Sequence, residues 1–414
     1  MSTPDRATAL IVTLLGGGAF VVLAALLVPW GPIPGGAVTA APVGDVLSPK
    51  QVASAEDYAG GTLQIGLASL AVSLAVSLLL GLTPLGSRLM KRLPGWWWVQ
   101  VVLGTAAVLL IGRVATLPFS LVQRERRLDV GLTHQALSAY AVDQAKSLAL
   151  SVVVVSLALM ALVACARRFE RRWPAVAGGV LAALVMAGSF AYPVLVEPLF
   201  NNFEALPDGS LRTQVLELAE EEGVPVDDVL VADASRRTTT LNAYVSGYGG
   251  TRRVVLYDNL VDDLPEDQAL SVVAHELAHA RHDDVLAGSL LGASGTLLAV
   301  GLLGLVTGAS VVRRRTGTEG LAVVTAVPLV LALSALATFA AAPVENGISR
   351  QIETRADVDA LRFTNDPGAF IAMQKRLAVR SLADPTPPGW SHWWFGSHPT
   401  TLERVAIARR MGER

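Results

Sequence analysis

Charge is what this chain has least of. Only 16% of its 414 residues are charged, and 52% are hydrophobic. Ordinary soluble domains carry about 25% charged residues. That deficit argues against a wholly soluble chain and leads us to expect membrane segments. Cysteine is nearly absent too. Cys165 stands alone in an apolar stretch, which excludes an internal disulfide and leaves the redox compartment undetermined. No long Lys/Arg run occurs and the net charge is −2, so a nucleic-acid partner is not expected.

Long apolar runs, by contrast, are plentiful. Seven stretches approach the roughly 20 residues that a bilayer-crossing helix needs: about 7–29, 63–82, 97–117, 148–166, 176–196, 285–306 and 321–342. Backbone polar groups within a bilayer must be satisfied internally, so each is predicted to be a helix. The first is long for a signal peptide and reads as an anchor. Gly288 and Gly292 have the spacing of a helix-packing pair.

The soluble mass falls into two pieces, 197–284 and 343–414, and together they have the size of one domain. Four segments follow: a five-span membrane region (1–196), a first soluble half (197–284), spans six and seven (285–342) and a second soluble half (343–414). Within the first half, 211–222 reads as an amphipathic helix. The Val-, Thr- and Tyr-rich stretch after it reads as strands, with Gly247-Tyr248-Gly249-Gly250 as a hairpin turn. Pro265, Glu266 and Asp267 then suit the first turn of a helix running to about His282.

That helix carries His275-Glu276-Leu277-Ala278-His279, an H-E-x-x-H motif. Residues four apart share a helix face, so both imidazoles reach one metal ion while Glu276 holds a water beside it. Zinc accepts imidazole nitrogen and carboxylate oxygen, and a catalytic site keeps one position open. Chance produces the pattern in roughly one chain of this length in a hundred. A third ligand is still needed. Asn346, Arg350, Glu353 and Asp357 lie at i, i+4, i+7 and i+11, one polar helix face. This is either a solvated face or a helix presenting Glu353 to the metal, with Asp357 accepting from a ligand histidine N–H. Near the end, His398 and Arg404 are candidates to stabilise a developing oxyanion.

Taken in order, these segments resemble the type I CAAX prenyl endoproteases, integral-membrane zinc peptidases of the gluzincin class. The resemblance is carried by PLFNNFEALPDGSLR (198–212), DASRRTTTLNAY (233–244), HELAH (275–279), NGISRQIETRAD (346–357) and SHPTTLER (397–404), with DVGLTHQALSAYAVDQAKSL before the fourth span. It implies a mainly α fold: a seven-helix transmembrane bundle with a zincin-like α+β metalloprotease domain split around the last two spans.

The resemblance further implies one zinc ion on His275, His279 and Glu353, with Glu276 as general base and acid. Asp357, Asn346 and Arg350 would support the site from behind, and His398 and Arg404 would support the tetrahedral intermediate or the ligand helix. Asn242, Ala243 and Tyr244 are similar to the edge strand on which gluzincins hold substrate, where an extended peptide gains main-chain hydrogen bonds. The implied partners are a peptide or protein substrate, lipidated or membrane-associated, and the bilayer. Two departures bear on the substrate: Thr240 and Asp283 stand where the family often has histidine. His282 reads as structural, since a fourth protein ligand would close the site to water.

Three other readings compete. Membrane-protein quality control is an alternative protease role. A seven-span transporter or receptor needs ionisable groups deep in spans, and only Arg113, near the end of the third, qualifies. An intramembrane protease would hold its motif inside a span, whereas Arg281, Asp283 and Asp284 follow it here. An integral, multi-pass membrane location follows, but its orientation does not. The resemblance implies a cytosolic site, whereas the basic loops after the second, fourth and sixth spans put the zinc domain outside. Arg124, Arg126, Arg127 and Lys146 weaken that charge argument, and the sequence leaves the side open.

Overall fold

The structure, a computed structural model, describes residues 6–413. Among them, seven helices are long and apolar enough to cross a bilayer: Arg6–Leu27, Pro49–Leu82, Trp97–Asp129, Leu137–Arg168, Trp173–Leu195, Asp284–Gly308 and Val324–Thr364. The chain is an integral multi-pass membrane protein. Four of these helices far exceed a bilayer's needs. The 34 residues of Pro49–Leu82 rise about 51 Å at 1.5 Å per residue, against a hydrocarbon core of about 30 Å. The start at Pro49 is set by a capping box in which Ser48 and Gln51 satisfy each other's backbone N–H groups.

The seventh span corrects the sequence boundary. Apolarity ends near Ala342, yet Val327–Thr364 is one helix that continues through Pro343. Packed neighbours let a spanning helix tolerate a proline. Glu353 and Asp357 therefore lie on an extension of the span itself. Arg113 likewise falls midway along the third helix, not near its end.

The first and sixth spans pack together, but not through Gly288 or Gly292. A side chain at Gly288 would meet nothing within 4 Å. The close approach is at Gly16, where a Cβ would stand 2.3 Å from the Leu298 nitrogen, and at Gly301, where it would stand 2.5 Å from the Thr13 nitrogen. Small residues let helix backbones meet in this way.

The extramembrane part contains a four-stranded sheet in the order β1-β2-β4-β3: β1 (Phe203–Ala205), β2 (Asp228–Ala232), β3 (Ala243–Ser246) and β4 (Arg253–Tyr257). β2 and β4 are parallel. β3 and β4 form the antiparallel hairpin expected around Gly247–Gly250, with Ala243 opposite Leu256 and Ser246 opposite Arg253. One apolar core joins the sheet to residues from both soluble pieces. Val229, Ala243 and Leu256 share it with Leu277 of the motif helix, with Leu361 on the extension of the seventh span and with Phe370 beyond it.

Candidate metal centre

The motif helix spans Glu266–Arg281, with Glu266 and Asp267 in its first turn. Leu277 and Ala278 are fully buried in the core, so the helix cannot rotate. The i, i+4 histidines then face the long helix Val327–Thr364. His275 Nε2 lies 3.2 Å from Glu353 Oε2. His279 Nε2 lies 3.3 Å from His275 Nε2 and 3.6 Å from Glu353 Oε1. One donor atom from each of these three residues falls within 4.8 Å of the others. Two imidazole nitrogens and a carboxylate oxygen are the donor set of a catalytic metal site with a position left for water.

Both histidines have a carboxylate at their other nitrogen. Asp357 Oδ1 is 3.0 Å from His275 Nδ1, and Asp284 Oδ2 is 2.9 Å from His279 Nδ1. Such partners fix a ring and its tautomer, leaving each Nε2 toward the centre of the trio. Sequence reasoning missed Asp284, which read only as a charge at the membrane edge. Its signal was its place five residues after His279, where the chain turns into the sixth span. Arg355 pairs with it from the long helix.

Electrostatics follow from this crowding. Burial alone would depress His275, but the Asp357 and Glu353 carboxylates outweigh it and raise its pKa to about 10 in the metal-free protein. Burial pushes the Glu276 carboxyl up from the ordinary carboxylate range, against the pull of His275 and His279. Glu276 thus follows His275 on the motif helix as a partly buried carboxyl with a raised pKa.

The C-terminal residues converge on Glu353 as well. His398 Nδ1 lies 2.7 Å from Glu353 Oε2, and Arg404 donates to the same oxygen at 2.9 Å. Arg404 Nε is also 3.3 Å from Asp357. The helix presenting Arg404 starts at a Thr400–Glu403 capping box. Asn346 and Arg350 share the face of Glu353 but reach elsewhere. Asn346 donates to the Trp394 carbonyl at 2.5 Å, and Arg350 to the carbonyls of His392 and Gly396. They hold the loop that carries His398. His282 lies away from the trio, 2.7 Å from Asp359. Asp283, in the left-handed region at φ 52°, pairs with Arg252 at 2.6 Å.

β3 is one of the two edge strands of the sheet, and Asn242, just before it, is exposed. Ala243 points into the core, while Tyr244 and Ser246 face Glu197, which follows the fifth span. Ser246 Oγ is 3.1 Å from Glu197 Oε2. Behind this face lies a cavity of about 820 Å³ with mixed polar and apolar walls, lined by Ser120, Arg127, Asp143, Ser147, Tyr244 and others.

Comparison with known proteins shows the family. Residues 205–411 match the model of peptidase family M48, and residues 37–202 match that of the CAAX prenyl protease N-terminal region with five membrane helices. The chain is 30% identical over 308 residues to the uncharacterized metalloprotease YhfN of Bacillus subtilis, covering 73% of this chain and 71% of that protein. It is 27% identical over 307 residues to a CAAX prenyl protease 1 homolog of Oryza sativa subsp. japonica, with the same coverages. The crystal structure of S. mikatae Ste24p shares the fold at a TM-score of 0.78, with 20% identity over 97% of this chain and 99% of that one.

Proposed function

Since the chain belongs to peptidase family M48 and is a membrane metalloendopeptidase of the CAAX prenyl protease type, we propose that it cuts peptide bonds with one zinc ion held by His275, His279 and Glu353. The convergence of those three donors carries the reading. When bound there, zinc supplies Lewis-acid activation of water and of the scissile carbonyl.

The chain's own residues do the rest. The peptide lies as an extra strand along β3, where main-chain pairing holds it without side-chain demands. Asn242, Ala243 and Tyr244 supply that edge, and Glu197 stiffens it through Ser246. The Glu276 carboxylate takes the water's proton and later delivers it to the leaving amine. Its raised pKa suits both halves of that task. Arg404 brings a fixed positive charge and His398 an imidazole ring to Glu353, keeping that carboxylate oriented, and the two are the chain's candidates to face the developing oxyanion. Asp357 and Asp284 hold the two imidazoles.

The substrate is a polypeptide delivered at the membrane surface. The test is Glu276→Gln, which is expected to keep its zinc and lose peptide cleavage by at least about 100-fold. Normal cleavage by that variant would refute the assignment. Comparing cleavage products in cells carrying the active protein and the variant identifies the substrates.

A further inference from the structure

We propose that the membrane face opposite the metal site is a docking surface for anionic phospholipid headgroups. Met90, Val101, Cys165, Trp173, Val300 and Val327 share one buried cluster. They stand at or near the ends of the second to seventh spans that point away from the metal site. The loops joining those ends therefore surround one patch of surface. Two of them contain short helices, Pro84–Lys91 and Ser310–Thr316. A Cβ at Gly317 would stand 3.0 Å from Ser87 Oγ, so the two loops lie side by side. The third joins them where the Arg167 guanidinium lies over the Trp97 ring at 5.4 Å, at the start of the third span.

The patch is rich in cations and poor in counter-charge. The loop after the second span carries Arg88, Lys91 and Arg92, that after the fourth has four arginines between 167 and 172, and that after the sixth has Arg313, Arg314 and Arg315. Arg313 is half-buried and all the others are exposed. Glu170 and Glu319 are the only acids in these loops. Among the described residues, none of these cations forms an ion pair with a carboxylate. Like charges gathered in this way repel one another, so negative charge from outside the chain stabilises the patch.

What lies among the cations points to lipid as the source. Leu85, Trp98, Phe169 and Val311 are exposed there, and Trp96 is 76% exposed. A bilayer surface accommodates both kinds of side chain, because aromatic rings settle at headgroup level beside the phosphates. The Pro84–Lys91 helix is divided to match: Gly86, Ser87 and Met90 are buried, while Arg88 and Lys91 face outward. Each cation stands a few residues at most from the end of a spanning helix, which fixes it at headgroup depth. Guanidinium forks bind phosphate oxygens in pairs. Each Lys or Arg near an anionic lipid surface strengthens binding roughly fivefold. The partner is therefore a phospholipid with net negative charge, held by its phosphate among the arginines while its acyl chains lie against the apolar span ends.

The test uses the full-length protein in detergent with added phosphatidylglycerol or phosphatidylcholine of the same acyl chains. Native mass spectrometry counts retained lipids, and thermal unfolding reads their protection. The parent is expected to retain at least about tenfold more phosphatidylglycerol than phosphatidylcholine. A variant carrying Arg88→Gln, Arg92→Gln, Arg314→Gln and Arg315→Gln should lose that preference by at least about fivefold. Lys50→Gln with Lys375→Gln removes exposed cations on the metal-site side and should keep it. Inorganic phosphate at the same concentration should give no protection, since a free phosphate has no acyl chains to seat. Equal retention of the two lipids by the parent overturns the proposal whatever the variants do. So does full phosphatidylglycerol retention by the quadruple variant, or equal protection by inorganic phosphate. Unfolding in phosphatidylcholine shows whether that variant is folded, and Arg168→Gln with Arg171→Gln and Arg172→Gln replaces it if it is not. No readout needs catalysis, so the peptidase reading stands or falls separately.

Discussion

Asp284 offers the sharpest check on how the metal site is held. Its Oδ2 lies 2.9 Å from His279 Nδ1, and Arg355 holds its other oxygen. Asp284→Asn keeps the shape and removes the charge that favours an Nδ1–H tautomer. Losing such a partner typically weakens metal affinity 10–100-fold, or about 1.4–2.7 kcal/mol at 1.36 kcal/mol per factor of ten. Asp357→Asn removes the equivalent contact at His275, 3.0 Å away, and is expected to fall in the same range. Arg355→Gln is the control, because it breaks the Asp284 ion pair and leaves the carboxylate on His279. It should cost well under tenfold. Zinc competition against a chromophoric chelator in detergent measures all three, with thermal unfolding of the metal-free proteins as a check on folding. If Asp284→Asn binds zinc within twofold of the parent, orientation of His279 by this carboxylate is refuted.

Three further outcomes follow from the geometry. His275 is raised to about 10 in the metal-free protein, so metal must displace its proton. Zinc affinity is therefore expected to climb roughly tenfold per pH unit between 6 and 8, and a flat profile would contradict this. Glu222 is 4% exposed with neither oxygen bonded, and burial pushes its pKa up to about 8. A folded pKa above the ordinary 4.5 contributes stability at low pH that is lost as pH rises through about 8. Glu222→Gln should thus match the parent near pH 4.5 and exceed it near pH 8, by up to a few kcal/mol; equal thermal shifts at both pH values would sink this account. Gly301→Ala should destabilise by about 1–3 kcal/mol, because its Cβ would meet the Thr13 backbone, whereas Gly288→Ala meets nothing. Detergent unfolding of the two variants tests that contrast.

Much of the fold was legible in the sequence because spanning helices and H-E-x-x-H are local patterns. Apolar length identifies each span, and the i, i+4 spacing puts His275 and His279 on one face wherever the helix goes. The polar stripe through Glu353 and Asp357 was visible as well, though a solvated face looks the same in one dimension. Where the sequence erred, a local cue met a tertiary override. Pro343 and the loss of apolarity suggested an end to the seventh span, but packing carries the helix on to Thr364. Of the Gly288–Gly292 pair, only Gly292 faces another helix, 3.5 Å from Val185 of the fifth span, while Gly288 meets nothing.

Local residue order thus determined the seven spans, the two-histidine face and the carboxylate beside it. Tertiary structure decided which atoms meet. Glu353 reaches the histidines because the long seventh helix packs on the motif helix, and His398 and Arg404 reach Glu353 only when the last helix docks. Asp284 serves His279 because the chain turns sharply at Asp283, a conformation that periodicity does not encode. The charges of the loops were plain from the start. Only packing showed that Arg124 is buried against the Gln135 carbonyl while Lys146 stays exposed, since burial and pairing belong to the assembled molecule.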